Sequence, residues 1–184
     1  MRIFISLPAY RDPDLARTMH DMVAKAAQPG ALTFAIFEQT DVPVPAEAWP
    51  RGVRVRHEHI PARESQGPCW ARARIQERYE GEEFYLQLDA HHRFVPGWDD
   101  FLRAELARCP ARDPILSTYL PWFFQKPDGR ETFCPLAGLR LEFSHFDGDG
   151  ILAVKAPVPK TAEEAAPAAG VFSRRISCSR GAIS

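Results

Sequence analysis

The chain has 184 residues, enough for one domain with a sizeable core. Its 45% hydrophobic and 26% charged residues are ordinary for a globular protein. A formal net charge of -1 gives no electrostatic reason to expect nucleic acid or an anionic membrane as partner, so a local basic cluster or a metal would have to hold an anionic substrate.

Four cysteines, Cys69, Cys109, Cys134 and Cys178, contain no C-x-x-C pair. This argues against a zinc knuckle or a disulfide scaffold and fits a reducing compartment. The N-terminal MRIFISLPAYRD turns polar after a few apolar residues, too few for a signal-peptide core or a membrane anchor. A cytoplasmic location is expected. The 17 prolines predict many loops and short elements.

Ile3 to Leu7 is an apolar run closed by Pro8 and reads as a buried strand. In Asp12-Pro13-Asp14, Asp12 suits an N-cap and Pro13 the first helical position. Leu15, Met19, Met22, Val23 and Ala26 then recur at helical spacing until Pro29-Gly30. Thr33 to Phe37, ending at Glu38, predicts a second strand, and Val53 to His57 a third. Gly67-Pro68 opens a helix running to Tyr79, and Phe84 to Leu88 is a strand ending at Asp89. Pro96-Gly97 leads into a helix with Trp98, Phe101, Leu102 and Leu106 as its apolar positions, and Ile115 to Thr118 is another strand. Gly138 to Phe143 and Ile151 to Val154 flank Asp147-Gly148-Asp149-Gly150, a hairpin-like turn. Pro157 to Ala169, rich in Ala, Pro and Glu, reads as a mobile loop before a last strand candidate, Val171 to Ser179.

Strands alternating with helices over the first 120 residues predict an α/β fold with right-handed βαβ units and a mostly parallel sheet flanked by helices. Ligands of such sheets sit beyond the carboxyl ends of the strands. That directs attention to Pro8 to Asp12, to Glu38-Gln39 and to Asp89 to His92.

Asp89 and His91 are two residues apart just past a strand, so in extended backbone their side chains point the same way. They offer a divalent ion such as Mn²⁺ one oxygen and one nitrogen, leaving positions open for diphosphate oxygens. The plainer reading is that Asp89 caps a turn while His91 and His92 lie on the surface. In Gln66-Gly67-Pro68-Cys69-Trp70-Ala71-Arg72, a helix start favours phosphate, and Arg72 brings a planar donor fork one turn later. Against this, Arg72, Arg74 and Arg78 would serve equally as a solvated helix face. In Ser6 to Asp12, Tyr10 could stack on a base and Arg11 could reach a phosphate, or the segment is a capped turn. Asp147 to Gly150 lacks the closing glutamate of a calcium loop, since Val158 stands there. His57-Glu58-His59 lacks the helical histidine spacing of a zinc protease, and no Walker loop, G-x-G-x-x-G or G-x-S-x-G is present.

Taken in order, Ile3 to Asp12, Phe37-Glu38-Gln39, Gly67 to Arg72 and Tyr85 to Asp99 resemble the GT-A-fold glycosyltransferase (GlcNAc) family, of the cytoplasmic kind that glycosylates hydroxyproline. The D-x-H motif of Asp89-Ala90-His91 is shared with the polypeptide GalNAc transferases. The resemblance implies a GT-A, Rossmann-like nucleotide-diphospho-sugar transferase. It would be a retaining enzyme using a UDP-sugar, a hydroxyl acceptor on a protein or small molecule, and Mn²⁺ or, alternatively, Mg²⁺. It implies that Asp89 and His91 hold the metal and diphosphate. Pro8, Tyr10, Arg11 and Glu38 would line the nucleoside site, with Arg72 near the diphosphate or sugar. The expected organisation is one domain, with residues 1–120 as the nucleotide-sugar half and 121–184 as a partial acceptor side. The family continues past the segment matching Ala168 to Ile183, with a Gly-Glu-Glu-type acceptor segment and a third metal ligand, usually histidine. Two other readings follow from the same residues. One is a catalytically incomplete UDP-sugar-binding domain. The other is a metal-dependent hydrolase using Asp89, His91, His92, Asp147 and Asp149.

Overall fold

The structure is a computed structural model and describes residues 2–116, 123–133, 142–148, 150, 152–155 and 171–173. In chain order it forms β1 (Ile3–Tyr10), α1 (Leu15–Lys25), β2 (Leu32–Gln39), β3 (Arg54–Ile60), α2 (Pro68–Gln76), β4 (Phe84–Gln87) and α3 (Trp98–Arg108). There follow β5 (Ile115–Leu116), β6 (Phe123–Gln125), β7 (Glu131–Phe133), β8 (Glu142–Phe146), β9 (Leu152–Lys155) and β10 (Val171–Ser173). The main sheet has the order β3-β2-β1-β4-β10-β5, and β3, β2, β1 and β4 are mutually parallel. This is the expected α/β architecture. The chain divides into two compact units, Met1–Ile115 with Phe172–Ser184, and Leu116–Val171.

A parallel sheet covered on both faces needs strands that are apolar throughout. Ile3, Phe4, Ile5, Leu7, Phe34, Ala35, Ile36 and Phe37 accordingly have at most 1% of their surface exposed. Phe4, Ala35, Phe37 and Tyr85 share one face with Ala71 and Ile75 of α2, and alternation turns Ile3, Ile5, Leu7, Phe34, Ile36 and Leu86 to the other. Each such large side chain contributes about 1.5–3 kcal/mol on burial. Glu58 of β3 ties α2 to the sheet edge by ion pairs to Arg74 (3.3 Å) and Arg78.

Several boundaries differ from the expectation. β1 does not close at Pro8 but runs to Tyr10, paired with β2 throughout and with β4 only from Ile3 to Ser6. Leu88 N donates to Ser6 O, so the like-sided Pro8 points its missing N–H past the end of β4, where no ladder bond is lost. β2 runs on through Glu38 to Gln39, and β3 from Arg54 to Ile60 rather than Val53 to His57. Asp12 is not the N-cap of α1. The helix opens at Leu15 behind Asp14, and Asp12 Oδ1 accepts from Asp14 N at 2.9 Å in a local turn. The helix α2 ends at Gln76 instead of Tyr79.

β6 and β7 form an antiparallel hairpin that sequence reading missed. Its signal is Pro127-Asp128-Gly129, with Gly129 at φ 82° closing the turn. β8 and β9 pair antiparallel around the predicted turn, with a bulge between Phe143 and His145. The first of these strands runs on to Phe146, past the Phe143 expected. Residues 117–118, Gly138 to Leu141, Asp149, Ile151, the loop from Pro157 to Ala169 and Arg174 to Ser179 fall outside the described residues. Among the described residues, no helix is long and apolar enough to cross a membrane.

Candidate functional site

The carboxyl ends of β1, β2 and β4, together with the start of α2, carry Pro8, Tyr10, Arg11, Glu38, Arg72, Asp89 and His91, whereas Asp147 follows β8 and Asp149 lies outside the described residues. After β4 the chain bends at Ala90 and His91, but the alternation of burial continues. Leu88 and Ala90 are buried, at 4% and 1% exposure, whereas Asp89 and His91 are exposed. The two side chains of the D-x-H motif therefore leave the same side of the strand end.

Helix α1 acts as a splint for this segment. Thr18, fully buried, donates its hydroxyl to Ala90 O at 2.7 Å and accepts from His92 N at 3.0 Å. Arg93 reaches Asp14 at 3.2 Å and His92 O at 2.9 Å, and Phe94 N donates to Asp21 at 2.7 Å. Nothing in the helical spacing of α1 distinguishes Thr18 from a core position, so sequence reasoning passed over it.

Each member of the motif has a partner. Asp89 Oδ1 lies 3.3 Å from an Arg72 guanidinium nitrogen, and Nε of Arg72 is buried without a hydrogen-bond partner. His91 Nδ1 lies 2.7 Å from Asp12 Oδ2. The His92 ring stacks on that of His91 at 5.8 Å and places Nδ1 2.9 Å from Asp89 O. Burial holds the His92 imidazole below its ordinary pKa, outweighing the upward pull of the Asp89 carbonyl and carboxylate.

Arg72 is delivered by a helix that starts sharply. Gly67 sits at φ 93° ahead of Pro68, a backbone conformation suited to glycine. Ser65 braces the turn, accepting from Gly67 N at 3.3 Å and donating to the buried Gln39 at 2.6 Å.

The second cluster lies at the end of β1. Tyr10 is 54% exposed. Arg11, at φ 49°, is in the left-handed region that non-glycine residues seldom occupy. Its guanidinium lies over the Tyr10 ring at 5.6 Å and 3.2 Å from Asp41, and its N–H donates to Gln39 O. An exposed aromatic face and a cation thus stand side by side at the end of this strand. Pro8 is half-buried within β1.

Glu38 differs from the others in being fully buried. One carboxylate oxygen accepts from Thr40 Oγ1 (3.1 Å) and Val44 N (2.9 Å), and the other lies 2.8 Å from His57 Nε2. Trp49 packs edge-on against His57 at 5.3 Å. Glu38 thus organises the loop after β2 from beneath.

One carboxylate oxygen and one imidazole nitrogen, on the same exposed side, fit a divalent ion that accepts both ligand types. Among the described residues no group of three or more His, Cys, Asp or Glu side chains is placed to hold a metal. As ligands, Asp89 and His91 would form only a partial set among the described residues.

The chain matches no curated protein. A crystal structure of S. aureus TarS 1-349 in complex with UDP-GlcNAc superposes with TM-score 0.50 at 16% identity, covering 64% of this chain and 34% of that one. Two further structures, S. aureus TarS 1-349 and S. aureus TarS, give TM-score 0.46 at 16% identity, covering 64% of this chain and 35% and 21% of theirs. This chain thus spans about a third of the length of the first of these, and the likeness is one of fold. The glycosyltransferase (GlcNAc) family model matches residues 43–175, a span that holds Arg72, Asp89 and His91 and begins after Pro8, Tyr10, Arg11 and Glu38. With the greater part of its length inside that match, the chain belongs to the glycosyltransferase (GlcNAc) family.

Proposed function

We propose that this chain binds UDP-GlcNAc through a divalent ion, with Mn²⁺ favoured, and forms the donor side of a retaining transferase that moves GlcNAc to a hydroxyl acceptor. The observation that carries this reading is the exposed pair Asp89 and His91, within the family-matched segment, flanked by Arg72 on one side and Asp12 on the other. The UDP-GlcNAc bound to the TarS structure of like fold supports the choice of donor.

Asp89 and His91 would hold the ion, which when bound neutralises the diphosphate as leaving group. Arg72 presents its donor fork to the same charge. Its present contact with Asp89 joins side chains 34% and 55% exposed, an ion pair weak enough to be exchanged on ligand binding. Tyr10 and Arg11 would receive the nucleoside and its phosphates, with Pro8 in the wall and Glu38 holding the neighbouring loop. A cytoplasmic location accords with this reading.

Calorimetry of UDP binding with and without Mn²⁺ tests it. Metal-dependent binding is expected in the native chain and its loss in Asp89→Ala. Metal-dependent UDP binding that survives Asp89→Ala unchanged would overturn the assignment. A second reading, a domain that binds the donor without transferring it, is favoured by the incomplete ligand set among the described residues. Turnover of UDP-GlcNAc to UDP separates the two.

A further inference from the structure

We infer that Asp12 is a positioning residue for His91, fixing the imidazole in the Nδ1–H tautomer so that Nε2 is the ring nitrogen offered to the ion. The inference rests on the donor-site reading above and concerns a residue that neither the D-x-H motif nor the family match, which begins at residue 43, contains. Asp12 Oδ2 lies 2.7 Å from His91 Nδ1, and an ionised carboxylate can only accept. The nitrogen facing it must therefore carry the proton, and the other ring nitrogen keeps its lone pair.

The carboxylate is held in turn. Its Oδ1 accepts from Asp14 N at 2.9 Å, and its side chain is only 15% exposed while that of His91 is 61% exposed. The anchor is thus the sheltered partner and the imidazole the presented one. The stacked ring of His92, 5.8 Å away, restricts rotation of His91 from the other side. His91 Nε2 has no hydrogen-bond partner among the described residues. Carboxylate–histidine pairs of this kind set the tautomer, orientation and basicity of a metal-binding imidazole.

The experiment reads the tautomer directly, without metal. Nitrogen NMR of the metal-free chain, at a pH where imidazole is neutral, should show His91 protonated on Nδ1. His91→Gln identifies its signal among the 6 histidines. In Asp12→Asn the amide oxygen can keep the bond from Asp14 N, but the amide N–H then faces His91 Nδ1. The ring must accept there, and its proton moves to Nε2. Asp12→Ser, which keeps a hydroxyl for Asp14 N and nothing for the ring, should also lose the Nδ1–H form. In both variants Mn²⁺ affinity measured by calorimetry should fall about 10- to 100-fold.

An unchanged tautomer in Asp12→Asn and Asp12→Ser overturns the inference, as does a switched tautomer with unchanged Mn²⁺ affinity. Absence of Mn²⁺ binding by the unaltered chain is a different failure. It overturns the donor-site reading and the ligand role of His91 with it, whichever tautomer the metal-free spectrum shows.

Discussion

Thr18→Val tests whether α1 holds the D-x-H segment through one hydroxyl. Valine keeps the branched shape and opens no cavity, but it removes the bonds made by Thr18 Oγ1, above all those to Ala90 O and from His92 N, with a longer contact to His92 O at 3.3 Å. Thr18 is fully buried and Ala90 1% exposed, so the Ala90 carbonyl has little access to water. A stranded buried group costs about 1–3 kcal/mol, and two of them set the expected loss at about 2–6 kcal/mol, a large share of a typical net stability of about 5–15 kcal/mol. Thr18→Ser is the control. It keeps the hydroxyl and loses one methyl, for about 1 kcal/mol. Urea denaturation should place Thr18→Val well below Thr18→Ser. Calorimetry on the folded proteins should show weaker Mn²⁺-dependent UDP binding in Thr18→Val alone, because Asp89 and His91 sit on the strip that the hydroxyl holds. Equal stability and equal affinity in the two variants would refute the reasoning.

Glu58 supplies a pH prediction. Burial raises its carboxyl, but the hydrogen bonds and charges of Arg78 and Arg74 outweigh that and hold the group below its ordinary value of 4.5. A carboxylate with a lowered folded pKa contributes stability above its unfolded pKa, and the contribution is lost as pH falls through the folded value. The native chain should therefore lose more stability than Glu58→Gln as pH drops from about 5 toward the acid range, in urea titrations at each pH; parallel profiles would exclude the ion pairs as the source. Glu38→Gln separates support from contact. Its amide oxygen can keep the Thr40 and Val44 bonds while the amide N–H2 meets His57 Nε2, costing about 1–2 kcal/mol in denaturation. UDP affinity should change less than threefold, and a loss of tenfold or more would mean that this buried carboxylate meets the nucleotide directly.

The fold was legible because its sheet is made of consecutive apolar runs, Ile3 to Leu7 and Thr33 to Phe37 above all, and because Gly67-Pro68 and Pro96-Gly97 punctuate the helices. The errors fall where tertiary context overrides a local rule. Pro8 is a strand breaker only if its missing N–H faces a partner, and β4 ends before it can. Asp12 has the position and chemistry of a cap, yet its second oxygen is drawn to His91, 79 residues away beyond β4. The hairpin of β6 and β7 was announced by Pro127-Asp128-Gly129, but its three-residue strands leave too short a pattern to register.

The site divides in the same way. That Asp89 and His91 share an exposed side was legible because the alternation of β4 carries on past its end, and that needs only local sequence. Their supports are contacts between residues 72 to 79 positions apart, Thr18 with Ala90 and His92 and Asp12 with His91, which no periodicity can encode. Both supports come from the turn and helix that follow β1, while the motif follows β4, and β1 and β4 are neighbours in the sheet. Strand order therefore makes the first crossover the natural brace for the strip that carries Asp89 and His91. The proposed donor site would then depend on the turn and helix after β1 as much as on the motif itself, so substitutions at Thr18 and Asp12 should weaken Mn²⁺-dependent UDP binding without touching Asp89 or His91.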